Sequence, residues 1–283
     1  MSSTARPSIR LLPAEYLDKI WGTPAVEPWF VSDGRKIGEV WYQDDPPLPL
    51  LTKFIFTSER LSVQVHPDDR YARSKGLDRG KTEMWHVLRA DPGGQIALGF
   101  RHEIDRETLR RSALDGSIVD LLRWFDVKPG ESYLVSAGTV HALGAGVVVV
   151  EVQQTSDTTY RLYDYGRPRE LHLADAMATA HLGPWIPPHM FASKASKAPW
   201  IPVLRTAFFE IHTADVQVPL SLARPDAPFA LYVFTAGSGS IGGQPYREGE
   251  CWLVEGLEDG VKLEPARPTK ILRAFPPKAA VAL

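Results

Sequence analysis

The sequence predicts a mainly β protein built as two barrel-like lobes, with a small helical segment in the first. Three observations carry that expectation. Short apolar runs alternate with Gly, Pro and Asp punctuation along most of the chain. A helix-compatible spacing of apolar residues occurs in just two stretches. A segment rich in Pro, Lys, Ser and Trp, residues 182–202, separates two strand-rich regions. Many short strands with turn residues between them are the pattern of a β-barrel or sandwich.

The predicted strands cover residues 50–56, 61–65, 84–88, 96–100, 132–135 and 147–152, then 208–212, 229–234 and 251–254. The main helical segment spans about 105–125. Within 106–124, Leu109, Ala113, Ile118, Leu121 and Leu122 recur on one face, and Asp105 is a suitable N-cap. Gly116 predicts a break into two helices. Residues 171–179 form a second, shorter helical stretch. These readings divide the chain into a first lobe at 1–181, a linker or crossover at 182–202 and a second lobe at 203–283. PGESYLV at 129–135 and EGECWLV at 248–254 echo each other, which suggests two related barrel modules. The glycine cluster at 237–243 lies between strands with no helix after it, so it reads as a hairpin turn rather than a dinucleotide loop.

Composition limits the function classes. Hydrophobic residues make up 44% and charged residues 23% of the 283, an ordinary globular balance. The net charge of −2, without a long run of one sign, argues against nucleic-acid and anionic-membrane partners. The longest aliphatic run, 147–150, is far too short for a bilayer, which needs about 20 residues. The first residues, MSSTARPSIRLLPAEY, lack the apolar stretch of a signal peptide. The single cysteine, Cys251, forms no intrachain disulfide and suits a reducing cytoplasm. Its apolar strand context reads as core. A cytoplasmic protein, monomer or homodimer, is expected.

The sharpest chemical signal is LSVQVHPDD at 61–69. On a strand, Gln64 and His66 share one face while Val63 and Val65 point the other way. KTEMWHVL places Glu83 at the start of a following strand, and SAGTVHALGAG places His141 in a Gly-rich turn. Two imidazoles and a carboxylate suit Zn²⁺ or another borderline divalent metal, with an open position for catalysis. Gln64 would be a weaker fourth ligand. His86 falls on the opposite strand face from Glu83 and reads as structural. His102, His172, His181, His189 and His212 lie in polar or loop contexts and are not expected to bind metal.

These segments, with EVQQTSDTTYRLYDYGR, resemble the signature segments of the type I mannose-6-phosphate isomerases, in their short bacterial form. KIWG at 19–22 and IGEVW at 37–41 extend the resemblance, which covers about residues 10–170. It implies a tandem cupin (jelly-roll) fold and a zinc enzyme, one ion per chain, interconverting mannose 6-phosphate and fructose 6-phosphate through an enediol. It implies His66, Glu83, His141 and Gln64 as the metal set. Lys81, Glu151, Asp157 and Arg161 match the family's catalytic positions, and Arg167 stands near a basic one. Ser136 departs from the proline that usually precedes the ligand turn, and YQDDPP at 42–47 departs from the family's pattern after IGEVW.

Isomerisation needs a base beside the substrate carbon and a means of stabilising an oxyanion. Lys81, Glu151 and Asp157 stand open as the base. Arg161 suits an enediolate or phosphate contact, because a guanidinium donates several hydrogen bonds in fixed geometry. Lys81, Arg161, Arg167 and Lys53 supply the basic set for a sugar phosphate. The second lobe lacks a His-bearing turn and is expected to hold no metal. A cupin isomerase for another sugar phosphate and a non-catalytic sugar-phosphate-binding cupin are the alternatives.

Overall fold

The run VVVVEVQQ forms the strand Val147–Gln154, buried along its whole length. Alternation along a strand sends successive side chains to opposite faces, so burial throughout requires cover on both sides. The computed structural model, which describes residues 8–187, 199–222, 226–256 and 260–277, supplies that cover. Val148, Val150 and Val152 face the second lobe, and Val149 faces the interior of the first.

The first barrel closes a six-stranded sheet over a five-stranded one. The larger sheet runs, in spatial order, Ala14–Thr23, Ile37–Tyr42, Leu50–Phe56, Val147–Gln154, Glu83–Ala90 and Ser132–Val135. The smaller runs Tyr160–Tyr163, Val63–Val65, His141–Leu143, Gln95–Phe100 and Leu122–Asp126. The second barrel has a six-stranded sheet, Ser8–Leu11, Cys251–Glu255, Phe229–Ala236, Thr269–Phe275, Glu210–Val216 and Ile201–Arg205. Its four-stranded partner is Leu220–Leu222, Val261–Pro265, Ser238–Ile241 and Gln244–Arg247. The mainly β, cupin-type architecture expected from the sequence is what the chain adopts.

The two larger sheets pack against each other. Phe54, Phe56, Met84 and Val150 of one meet Leu231, Val233, Cys251, Leu253 and Leu272 of the other in a shared core. Burying each such side chain contributes about 1.5–3 kcal/mol. Cys251 is therefore core, and burial pushes its thiol well above the usual range.

Several boundaries differ from the sequence reading. The helical segment splits as expected: Arg106–Asp115 is capped by the Asp105 carboxylate and ended by Gly116 in the left-handed conformation, and Ile118–Leu121 follows. Its last residues, however, belong to the strand Leu122–Asp126, because pairing with Gln95–Phe100 outweighs local helix spacing. Ser8–Leu11 pairs with Cys251–Glu255, so this part of the 1–181 stretch lies in a sheet of the second barrel. Ile201–Arg205 is a strand that begins inside the stretch read as linker, and residues 188–198 of that stretch, with His189, lie outside the described residues. Of the 237–243 glycine cluster, Ser238–Ile241 is strand, and the turn itself is Gly242–Gly243. The short helix Asp69–Ser74, capped by Asp68, was not anticipated.

Candidate active site

Two rows of cross-strand neighbours face each other inside the first barrel. In the larger sheet, Trp41 pairs with Lys53, Lys53 with Glu151, and Glu151 with Trp85. Partners directly opposite on antiparallel strands share a face and touch. The contacts follow: Lys53 Nζ sits 4.2 Å from the Trp41 ring centroid and 3.2 Å from Glu151 Oε1, and Trp85 Nε1 donates to Glu151 Oε2 at 2.9 Å. In the smaller sheet, Arg161 pairs with Gln64, and Gln64 with His141. Val63 and Val65 turn outward to pack under the helices.

His66, Glu83 and His141 converge in the barrel floor, fully buried, with ligand-type atoms all within 4.8 Å of one another. Glu83 Oε2 lies 3.3 Å from His66 Nε2, and Glu83 Oε1 lies 3.5 Å from His141 Nε2. His66 Nδ1 is 2.9 Å from the Thr158 carbonyl, and His141 Nδ1 is 2.8 Å from the Thr139 carbonyl. A carbonyl only accepts, so each Nδ1 carries the proton and each Nε2 presents its lone pair inward. Burial, with Lys81 adding to it, pushes His66 down to about 3, and burial lowers His141 as well, so both rings are neutral. Both Glu83 oxygens and His66 Nε2 are buried without a hydrogen bond. Two lone pairs and a carboxylate aimed at one another fit a divalent cation with N and O ligands. Gln64 Nε2 lies 3.2 Å from His141 Nε2, beside the group. The amide's two ends are interchangeable by rotation.

Above the floor opens a cleft of about 360 Å³. Lys19, Lys53, Lys81, Arg161 and Arg169 line it, outnumbering Glu39, Glu151 and Asp157. Lys81 Nζ bridges Glu83 Oε2 at 3.0 Å and Glu151 Oε1 at 3.9 Å. Burial alone would lower Lys81, but Glu83 and Glu151 outweigh it and the ammonium form is favoured. Burial would raise Glu83, yet Lys81 and His66 hold it well below the usual carboxylate range. Glu151 is raised by burial and by the Glu83 charge, and burial lowers Lys53, so this pair is pushed toward its neutral forms.

The sequence-predicted residues thus fall into three groups. Lys53, Lys81, Glu151, Asp157, Arg161 and Gln64 line the cleft, with Asp157 exposed at its mouth. His66, Glu83 and His141 are buried behind that lining, touching it through Lys81 and Gln64. Arg167 is absent from the cleft lining; it pairs with Asp164 at 3.3 Å and with Glu59 at 3.5 Å, and donates to the Arg60 carbonyl. Arg169, two residues on, takes the cleft position instead. Lys19, Glu39, Trp41, Trp85 and Arg169 were missed as site residues, although four of them lie in the KIWG, IGEVW and KTEMW motifs. His86 lies on the outer strand face, bonded to Ser132.

Two β-barrels joined through their larger sheets, with a buried His–Glu–His group under a basic cleft, define a cupin-type protein with a metal-type site. No protein-family model matches the sequence. The chain is similar to mannose-6-phosphate isomerase of Streptococcus mutans, 35% identical over 208 residues that span 68% of this chain and 62% of that protein, less than two thirds of its length. It is similar to mannose-6-phosphate isomerase ManA of Bacillus subtilis, 35% identical over 219 residues, 73% of this chain and 69% of that protein. The crystal structure of the mannose 6-phosphate isomerase from Bacillus subtilis superposes with a TM-score of 0.84 at 26% identity, covering 95% of this chain and 99% of that one. A zinc-bound mannose 6-phosphate isomerase shares the fold at a TM-score of 0.72 and 14% identity, covering 95% and 99%. The chain belongs to the mannose-6-phosphate isomerase family.

Proposed function

We propose that the chain is a zinc-dependent isomerase that interconverts mannose 6-phosphate and fructose 6-phosphate through an enediol. The observation that carries this reading is the buried group of His66, Glu83 and His141, whose two Glu83 oxygens and His66 Nε2 make no hydrogen bond, beside a cleft where Glu151 and Lys81 meet. The names of the relatives support the substrate, and the zinc-bound neighbour supports the metal.

His66, Glu83 and His141 would hold one ion per chain, with the Gln64 amide as a weaker fourth ligand. Zinc supplies Lewis acidity toward the substrate's oxygens when bound. Glu151, raised from the usual carboxylate range, takes the proton from the carbon beside the carbonyl and returns it to the former carbonyl carbon, while the hydroxyl proton passes from the oxygen of the first carbon to that of the second. Lys81 stays protonated and donates to the oxygen on which negative charge builds. Arg161, with a buried Nε free of hydrogen bonds, stands on the opposite wall as a donor to the substrate. Trp85 and Lys53 fix the Glu151 carboxylate. Asp157, exposed at the mouth, contacts the sugar rather than serving as the base. The lone Cys251 suits a reducing compartment, and we place the enzyme in the cytoplasm. No helix among the described residues is long and apolar enough to cross a membrane.

The test is isomerisation of mannose 6-phosphate by as-purified, chelated and zinc-restored protein. Activity that falls on chelation and returns with zinc supports the reading. No activity in folded, zinc-loaded protein overturns it.

A further inference from the structure

The loop after strand Tyr160–Tyr163 folds back on it. Tyr165 and Gly166 both adopt left-handed backbone, reversing the chain. The His172 amide then donates to the Arg161 carbonyl at 2.8 Å, and the Arg161 amide donates to His172 Nδ1 at 3.2 Å. This return places Arg169 beside Arg161 at the cleft wall.

Asp164 decides how the two later arginines point. Its side chain is 2% exposed. Arg169 grips it with two hydrogen bonds of 2.6 Å, Nε to Oδ2 and one Nη to Oδ1. Such a bidentate pair fixes the guanidinium plane. Arg167 takes one weaker contact to the same carboxylate and points to Glu59 and the Arg60 carbonyl. Arg161 is fixed differently, with one Nη donating to the Glu170 carbonyl at 2.7 Å while its buried Nε makes no hydrogen bond. A guanidinium has five N–H donors, so each arginine keeps donors to spare. The two charges are close enough to repel, since Arg169 adds to burial in lowering Arg161. Holding two like charges at one cleft wall is costly in the empty cleft and favourable once a dianion sits between them.

We infer that Arg169, held by Asp164, and Arg161 together bind the phosphate of the sugar-phosphate substrate, and that Arg167 does not. This rests on the sugar-phosphate reading of the cleft. Asp164 and the Glu170 carbonyl are positioning groups that preset the two guanidinium planes. The phosphate stays bound throughout the reaction, so its contacts act on substrate binding more than on the chemical step.

The experiment measures inorganic phosphate binding by calorimetry to zinc-loaded wild-type protein and to Arg169→Gln, Arg169→Lys and Arg167→Gln. It is paired with KM and kcat for mannose 6-phosphate and with zinc content. Arg169→Gln should weaken phosphate binding and raise KM by about tenfold to a hundredfold, as loss of a charged hydrogen bond implies, with kcat and zinc content much less affected. Arg169→Lys, which keeps charge but not the fork, should fall between it and wild type. Arg167→Gln should bind phosphate as wild type does. Unchanged phosphate binding in Arg169→Gln overturns the assignment, and so does an equal loss in Arg167→Gln. A loss of zinc parallel to the loss of phosphate also overturns it, because it marks a structural effect. If wild type binds phosphate through Arg169 yet isomerises nothing, the isomerase reading fails while the anion site stands.

Discussion

Lys53 Nζ lies 3.2 Å from Glu151 Oε1, with both side chains about 5% exposed or less. Burial lowers Lys53 and raises Glu151, while the charge of Lys53 works against the rise in Glu151. Removing Lys53 therefore lifts Glu151 further. If Glu151 acts as a carboxylate, the acid limb of the kcat/KM profile of Lys53→Met should move to higher pH by about one unit, the lower end of a charge-pair effect. Activity should recover part of its loss above that limb. A pH–rate profile with an unmoved acid limb would remove Glu151 from the role of base.

Glu83→Gln keeps the size of the side chain and removes its charge. Replacing an outer-shell partner costs about 10–100-fold in metal affinity, so loss of a ligand charge should cost at least as much. Competition with a chelator measures it. Zinc should raise the Tm of wild type and leave Glu83→Gln nearly unmoved, as linkage requires of a ligand that binds the folded state. An equal Tm rise in both proteins would place the zinc elsewhere.

Asp69 clamps the two loops that carry metal-type ligands. Its Oδ1 accepts from the Gly80 amide and from Gln154 Nε2, both at 2.9 Å, while Gln154 Oε1 accepts from the Thr82 amide. Residues 80–82 thereby lie against Pro67 and Asp68, directly after His66 and directly before Glu83. Asp69→Ala should lower stability by about 1 kcal/mol and weaken zinc by about tenfold. Asp69→Asn, which keeps an acceptor oxygen, should lose less of both. Denaturant unfolding and chelator competition read the two effects separately, and unchanged zinc affinity in Asp69→Ala would show the clamp to be irrelevant to the metal.

Gly138 has φ of 84° in the turn leading to His141, and a Cβ there would stand 2.7 Å from the His181 ring. Gly138→Ala should destabilise by about 1–2 kcal/mol through the left-handed backbone alone, with the ring contact adding to it. His181→Ala in that background should restore the contact part and not the backbone part. Strictly additive effects of the two substitutions in thermal unfolding would contradict this.

Much of the site was legible because strand alternation is a local rule. Val63 and Val65 out, Gln64 and His66 in, follows from period two alone. Strands Leu50–Phe56 and Ser132–Val135 fall on the predicted residues, since Pro49 and Pro129–Gly130 mark where they begin. The cap at Asp105 and the break at Gly116 were equally local. Register was not legible. Nothing in the sequence aligns Trp41, Lys53, Glu151 and Trp85 across four strands, because that row depends on pairings far apart in the chain. The choice between Arg167 and Arg169 depended on which way Asp164 turns after a chain reversal, and both arginines look alike to spacing. Leu122–Trp124 misled for the opposite reason, since a helical pattern gave way to a sheet edge that needed a strand.

The most direct test follows the C2 proton of mannose 6-phosphate in D₂O by NMR, with zinc-loaded wild type and with Glu83→Gln. Proton transfer through an enediol at the metal-type site predicts loss of the C2 proton and conversion to fructose 6-phosphate with wild type, with any solvent deuterium entering that product at C1, and neither with Glu83→Gln. Folded, zinc-loaded wild type that binds the sugar phosphate and leaves the C2 proton in place would contradict the account and mark a binding protein instead.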